Sequence, residues 1–292
     1  MYCWRLRIYL YIEYGYPDIN FVVKYIVVFQ ETGWKRKEEG QIYDRYIIHV
    51  SGRETSLINK TFFSPYSGGS IPLMIAGIDE AGKGPVIGPM CIGGVKIDES
   101  RAHALKVLGV ADSKKLTPKK REQLATQIRK YADECFVLEV SPSQIDELRK
   151  LFTMNEIMVI CFSKVLEKLQ PDTVYADAAD VKAERFGENL RKQYAKSCPG
   201  KAKEIEIISR HQADAVYPVV SAASIIAKVR RDELIEELKT EWGADFGSGY
   251  PSDPKTKAFL LKWGKEHGGE FPEIVRQSWK TVENIRAELK KG

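Results

Sequence analysis

Residues 74–79, Met-Ile-Ala-Gly-Ile-Asp, form an apolar run that stops at two adjacent carboxylates, Asp79 and Glu80. The run reads as a buried strand of small and apolar residues. A glycine–lysine–glycine turn, Gly82-Lys83-Gly84, follows at once, then two prolines within five residues. The pattern of a strand-like run followed by a helix-like one continues downstream. Residues 90–97 (MCIGGVKI), 135–140 (CFVLEV), 172–177 (DTVYAD) and 204–209 (EIEIIS) have strand composition. Thr117-Pro118 and Ser141-Pro142 each place a capping hydroxyl before a proline at the first helical position. Thr153 with Glu156 forms a capping box for the helix that follows, and residues 182–194 form another helix. A long helix is expected from Pro218 to about Lys239, with further helices near 254–267 and 280–291. Together these predict an α/β fold: a mixed β-sheet flanked by helices, with a helical C-terminal portion over about 218–292.

The chain changes character at Met74. Residues 1–73 contain no alanine, whereas residues 74–292 contain 21, and the first quarter holds nine of the fourteen tyrosines. Residues 1–73 are therefore set apart as an N-terminal extension from a catalytic domain at 74–292. Tyr and Ile come from AT-rich codons and Ala from GC-rich ones, so the extension is read as upstream DNA taken for protein, with Met74 the true start. A small β-rich accessory domain is the alternative, because 21–30 (FVVKYIVVFQ) and 45–50 (RYIIHV) have strand-like composition.

Composition excludes some classes. Of 292 residues, 43% are hydrophobic and 29% charged, with a net charge of +5, too mild to mark a nucleic-acid binder by itself. Five scattered cysteines with no CxxC pair argue against a zinc site or a disulfide framework, and for a reducing compartment. No apolar run reaches the roughly 18 residues of a membrane span, so a cytoplasmic protein without membrane contact is expected.

Three groups of carboxylates fall at or after the ends of strand-like runs: Asp79-Glu80, Asp177, and Asp214 in the loop expected after 204–209. Side chains at such ends can converge on one site. Asp180 precedes a helix and is expected to cap it. Acids brought together repel and raise one another's pKa, and cations relieve that strain. With four histidines and no Cys/His pattern, an all-oxygen set favours Mg²⁺ or Mn²⁺. Two such ions about 4 Å apart suit phosphodiester hydrolysis. The glycine turn lets backbone groups approach a sugar or phosphate; it is no Walker A loop, which excludes the common ATP-binding design. Ser113, Lys114 and Lys115 in "DSKK", with Lys228, Arg230 and Arg231 in "AKVRRD", could track phosphates. His211 lies near Asp214 in sequence and is given at most a supporting role.

Five ordered stretches, "GIDEAGKGPVIGP", "DSKKL", "YADAADV", "HQADAVYPVVSAASIIAKVRRD" and "GSGYPSDPKT", resemble ribonuclease HII in its archaeal form over residues 74 to nearly the end. The resemblance implies an RNase H-like fold and a metal-dependent endonuclease. Its expected substrates are RNA–DNA hybrids and duplex DNA with an embedded ribonucleotide, nicked on the 5′ side to leave 3′-hydroxyl and 5′-phosphate ends. It puts the four catalytic, metal-holding carboxylates at Asp79, Glu80, Asp177 and Asp214. It puts the turn that senses the ribose 2′-hydroxyl at Gly82, Lys83 and Gly84, and the tyrosine against the next sugar at Tyr250. A 2′-hydroxyl distinguishes RNA from DNA. Many members carry Arg where this chain has Lys83, which keeps the charge and loses the bidentate fork. A ribonuclease HIII-like enzyme with an N-terminal substrate-binding domain is an alternative, although its turn typically reads GTG; an inactive nucleic-acid-binding protein is another. A monomer is expected. A sliding clamp is a candidate partner, although "AELKKG" at the C-terminus has no evident docking motif.

Overall fold

The computed structural model describes residues 72–110 and 116–290, together with the backbone of two short strands, β1 (His49–Val50) and β2 (Arg53–Glu54), paired antiparallel. The chain divides into two units, Met1–Ser70 and Ile71–Gly292. Most of the two strand-like stretches expected in the extension lies outside the described residues, as do Ser113, Lys114 and Lys115.

In the second unit the elements follow as β3 (Met74–Ala81), β4 (Met90–Asp98), α1 (Ala102–Val107), α2 (Pro118–Tyr131), β5 (Glu134–Val140), α3 (Pro142–Arg149) and α4 (Met154–Leu169). Then come β6 (Thr173–Asp177), α5 (Ala183–Ser197), α6 (Lys201–Glu204), β7 (Glu206–Arg210), α7 (Ala213–Val216), α8 (Pro218–Trp242), α9 (Pro254–Glu266) and α10 (Lys280–Leu289). The caps form as the sequence predicts. Thr117 accepts from the Lys120 N–H, and the capping boxes Ser141/Gln144 and Thr153/Glu156 are both reciprocal.

The five strands lie in the order β5-β4-β3-β6-β7. β4 runs antiparallel to β3 and β5, while β3, β6 and β7 are parallel. The sheet is therefore mixed, with β3 at its centre. Successive side chains of a strand face opposite sides. On one face Ala76, Ile78, Ile92 and Val174 pack with Phe162, Leu166, Phe186 and Leu190 of α4 and α5. On the other, Ile75, Val95 and Ile97 pack with α8 and with Leu124 and Ile128 of α2. A third cluster joins Val86 and Ile87 to the C-terminal helices through Ile235, Leu260, Val275 and Ile285.

Helix α8 lies flush on β3. A Cβ at Gly77 would stand 2.3 Å from the carbonyl carbon and oxygen of Val219, which are backbone atoms that cannot turn aside. Gly77→Ala is therefore expected to destabilise the fold by about 1–3 kcal/mol, the usual cost of overpacking a full core. Thermal denaturation checks this.

Two local expectations need correction. Asp180 does not cap α5. The cap position is Lys182, and Asp180 instead accepts from the Lys182 N–H at 3.3 Å and pairs with Arg185. Asp214 sits in the four-residue helix α7 and not in an open loop.

Candidate active site

The parallel register of β3 and β6 pairs Ile78 with Ala176, so Asp79 and Asp177 follow side by side on neighbouring strands. Asp177 Oδ1 accepts the N–H of Ala213 at 3.1 Å, which draws the first turn of α7, and Asp214 with it, to the same strand end. Asp79 and Asp214 are both 5% exposed. Asp79 shares its strand face with Gly77 and so looks toward α8, where the buried Ser224 hydroxyl donates to its carboxylate. The ammonium of Lys228, one helical turn on, donates to Ser224 Oγ at 2.8 Å. Lys228 thus reaches the acids through a hydroxyl. The Glu80 N–H donates to Asp79 Oδ1 at 2.7 Å.

Burial pushes the Asp79 carboxyl well above the usual carboxylate range, and the charges of Glu80 and Asp177 push it further. Burial also raises Glu80; Lys83 opposes the rise and Asp177 adds to it. Among the described residues no group of three or more His, Cys, Asp or Glu side chains is placed to hold a metal ion. The acids are gathered on adjacent segments without being drawn around one point. The donor set nonetheless fits a hard divalent cation: it is all oxygen, Asp79 and Asp214 are buried, and the charges of Glu80 and Asp177 push Asp79 up. Ser224→Ala removes a hydrogen bond to the charged form of Asp79. In the metal-free protein, carboxylate NMR is expected to find Asp79 titrating higher in this variant than in the wild type.

The glycine turn stands next to the acids. Gly82 has φ +84°, and Arg231 and the Pro89 carbonyl crowd the place a Cβ would take. Lys83 Nζ donates to the Ala179 carbonyl at 2.8 Å, tying the turn to the loop that follows β6. Tyr250, 39% exposed, lies over Gly84: a Cβ there would be 3.7 Å from Tyr250 Cε1. The loop carrying Tyr250 is fixed to the turn by the N–H groups of Val86 and Ile87, which donate to the Gly249 carbonyl at 2.8 and 3.1 Å. Arg231 packs over the Tyr250 ring at 5.2 Å and donates to the Ser248 carbonyl at 2.7 Å.

The structure thus brings Asp79, Glu80, Asp177 and Asp214 to one strand end, with Gly82, Lys83, Gly84, Tyr250 and Lys228 around it. Arg230 is not part of this group; it pairs with Glu139, Glu233 and Glu237. His211 is exposed, with Nε2 3.1 Å from the Val181 carbonyl oxygen. Sequence reasoning missed Arg276 and Trp279, which reach the turn from the segment between α9 and α10. The available signal was a single arginine after the apolar pair Ile274-Val275.

Known proteins resemble the chain in sequence and in fold. The family model for ribonuclease HII matches residues 76–282. Ribonuclease HII of Methanosarcina barkeri is 85% identical over 219 residues, which are 75% of this chain and 98% of that protein. The crystal structure of ribonuclease H2 from Pyrococcus horikoshii matches with a TM-score of 0.68 at 44% identity, covering 75% of this chain and 100% of that one. Ribonuclease HII of Archaeoglobus fulgidus, solved as a complex with PCNA, matches with a TM-score of 0.64 at 44% identity, covering 73% and 96%. These matches do not favour a ribonuclease HIII-like enzyme. With an RNase H-like mixed sheet and this degree of identity, the chain belongs to the ribonuclease HII family and is an RNase H-type hydrolase.

Proposed function

We propose that the chain is an endonuclease that hydrolyses the RNA strand of RNA–DNA hybrids and nicks duplex DNA 5′ of an embedded ribonucleotide, leaving 3′-hydroxyl and 5′-phosphate ends. The observation that carries this reading is the placement of the Gly82-Lys83-Gly84 turn and Tyr250 against one another beside the acids, of which Asp79 and Asp214 are buried. Asp79, Glu80, Asp177 and Asp214 are the catalytic and metal-holding residues of this proposal. Two Mg²⁺ or Mn²⁺ ions, when held there, supply Lewis-acid activation of water and neutralise charge at the scissile phosphate.

The chain's own groups do the rest. Ser224 fixes the orientation of Asp79, with Lys228 behind it. Lys83, anchored on the Ala179 carbonyl, holds positive charge beside Glu80. The backbone of the turn faces the ribose, and the exposed ring of Tyr250 takes the next sugar, where a flat ring disfavours a second 2′-hydroxyl. Ser113, Lys114 and Lys115 join the phosphate contacts in this reading.

Residues 74–292 are proposed as the catalytic domain, its helical part beginning near 218, with 1–73 an extension not needed for cleavage. The enzyme is proposed to act as a monomer in the cytoplasm, in replication and repair. Its four described cysteines are free thiols, and no described helix is long and apolar enough to cross a membrane. The PCNA complex of the Archaeoglobus relative supports a sliding-clamp partner.

Given Mg²⁺ or Mn²⁺, pure full-length protein is expected to cut a duplex with one ribonucleotide on the 5′ side of that residue, giving an end that a polymerase can extend. No cut, or a blocked 3′ end, defeats the proposal.

A further inference from the structure

The segment between α9 and α10 runs against the back of the glycine turn. Ile87 and Val275 form an antiparallel bridge, the Arg276 N–H donates to the Val86 carbonyl at 2.8 Å, and the Gly88 N–H donates to the Ile274 carbonyl at 2.9 Å. This places the Arg276 side chain, which is fully buried, directly behind residues 82–84. Its Nη2 donates to the Gly82 carbonyl at 2.7 Å and its Nη1 to the Lys83 carbonyl at 3.0 Å. Nε and Nη2 also hold the Gly88 carbonyl, at 3.0 and 2.9 Å. The Trp279 indole N–H donates to the Gly84 carbonyl at 3.0 Å, and the ring lies 4.8 Å from the Arg276 guanidinium carbon. All three carbonyls of the turn are therefore held by this one segment. Asp146 on α3 secures it in turn, accepting the N–H groups of Gln277 and Ser278 at 2.7 and 3.0 Å.

A peptide unit is planar and trans, so its C=O and the next residue's N–H point in opposite directions. With the carbonyls of Gly82 and Lys83 drawn toward Arg276, the N–H groups of Lys83 and Gly84 turn the other way. The third carbonyl, that of Gly84, precedes Pro85, which has no N–H to present.

Arg276 also places charge there. No carboxylate among the described residues lies within ion-pair distance of it, and its neighbour Arg231 is a second buried cation. Burial and the charge of Arg231 push the Arg276 guanidinium down to about 9. A buried cation held by carbonyl dipoles and offset at longer range by Asp146 leaves positive potential at the outward N–H groups, which suits a ribose oxygen flanked by phosphates.

We propose that Arg276, assisted by Trp279, is the positioning residue of ribose recognition: it holds the carbonyls of the turn inward so that the Lys83 and Gly84 N–H groups face the substrate sugar. The inference rests on the reading of this turn as the ribose contact. Lysine at 276 keeps the charge but cannot make the fork of bonds. Trp279→Phe removes one hydrogen bond and keeps the ring.

The test uses the full-length chain and the ratio of kcat/KM on a duplex with one ribonucleotide to kcat/KM on a uniform hybrid. Arg276→Lys is expected to lower that ratio about tenfold, mainly through KM, the effect of losing a charge-assisted hydrogen bond. Trp279→Phe is expected to lower it about threefold. An unchanged ratio in Arg276→Lys overturns the inference, as does an equal loss on both substrates, which is what a merely structural role produces. If Arg276→Lys does not fold, Trp279→Phe decides by the same criteria. Gly84→Ala separates the two levels of argument. If it keeps the wild-type ratio, the turn is not the ribose contact; if it loses the ratio while the clamp variants keep it, only the clamp falls.

Discussion

Asp79→Asn is expected to cut turnover by on the order of 10³-fold or more, and at the same time to make the metal-free protein more heat-stable at neutral pH. The two effects share one cause. Asp79 is buried beside Glu80 and Asp177, so its folded-state pKa lies well above the ordinary 3.8. The folded state then holds the Asp79 proton more tightly than the unfolded chain does. That preference stabilises the fold fully below the unfolded value and is lost as pH rises through the folded pKa. At neutral pH the metal-free wild type bears the cost of a buried acidic group, to which the charges of Glu80 and Asp177 add, and Asn does not. Asn fits the site: its carbonyl can accept the Glu80 N–H as Asp79 Oδ1 does, and its amide can face the Ser224 hydroxyl, which also accepts.

Each kcal/mol of relief corresponds to about 2–4 °C in a domain of this size. The gain should shrink as the pH is lowered toward the unfolded value, because the wild-type group is then protonated too. Mg²⁺ or Mn²⁺ should raise the melting temperature of the wild type and act far less on the variant. Differential scanning calorimetry across pH, with and without metal, checks all three statements. Full turnover in Asp79→Asn places the chemistry elsewhere. A lower melting temperature at neutral pH, with the fold intact, shows that the repulsion is not there.

What the sequence revealed follows the range of the interactions. The caps at Thr117, Ser141 and Thr153 are satisfied within three residues, and each stands where local hydrogen-bonding chemistry puts it. The strand at 74–81 announces itself by its apolar run, and its terminal acids mark the site. Asp180 was misjudged because a competitor five residues away, Arg185, takes its carboxylate. The short helix at Asp214 was missed because four residues carry little local signal and the Asp177 carboxylate, a tertiary partner, anchors its first N–H.

Arg230 and Arg231 are adjacent in sequence and opposite in fate. A helix turns about 100° per residue, which sends Arg231 inward to Tyr250 and Ser248 and Arg230 outward to three glutamates. Arg276 was beyond local reasoning. The carbonyls it holds at Gly82, Lys83 and Gly88 are 188 to 194 residues away, and the one local sign, an arginine after the apolar pair Ile274-Val275, says nothing of what it binds.

Gly82→Ala is expected to be the most damaging single-carbon change in the turn. At φ +84° an alanine pays about 1–2 kcal/mol for the left-handed backbone. Its Cβ would also stand 2.8 Å from Arg231 Cδ and Nε and 2.9 Å from the Pro89 carbonyl oxygen. Neither neighbour can yield. The Pro89 oxygen is backbone, and Arg231 is only 6% exposed, tied to the Ser248 carbonyl and packed on Tyr250. The turn itself must move, which pulls the Gly82 carbonyl off Arg276 and shifts the turn against Tyr250. Strain and overpacking together are expected to cost about 2–4 kcal/mol, with preference for the single-ribonucleotide duplex lost in the molecules that remain folded. Gly84→Ala is the matched comparison, since Gly84 is not in the left-handed region and its Cβ would meet only Tyr250, at ordinary contact distance. Its melting temperature should stay close to wild type, so that any change in cleavage comes from crowding the sugar. Equal melting temperatures for the two variants, measured side by side with their cleavage ratios, would show that the turn is free to move and that Arg231 and Pro89 do not hold it.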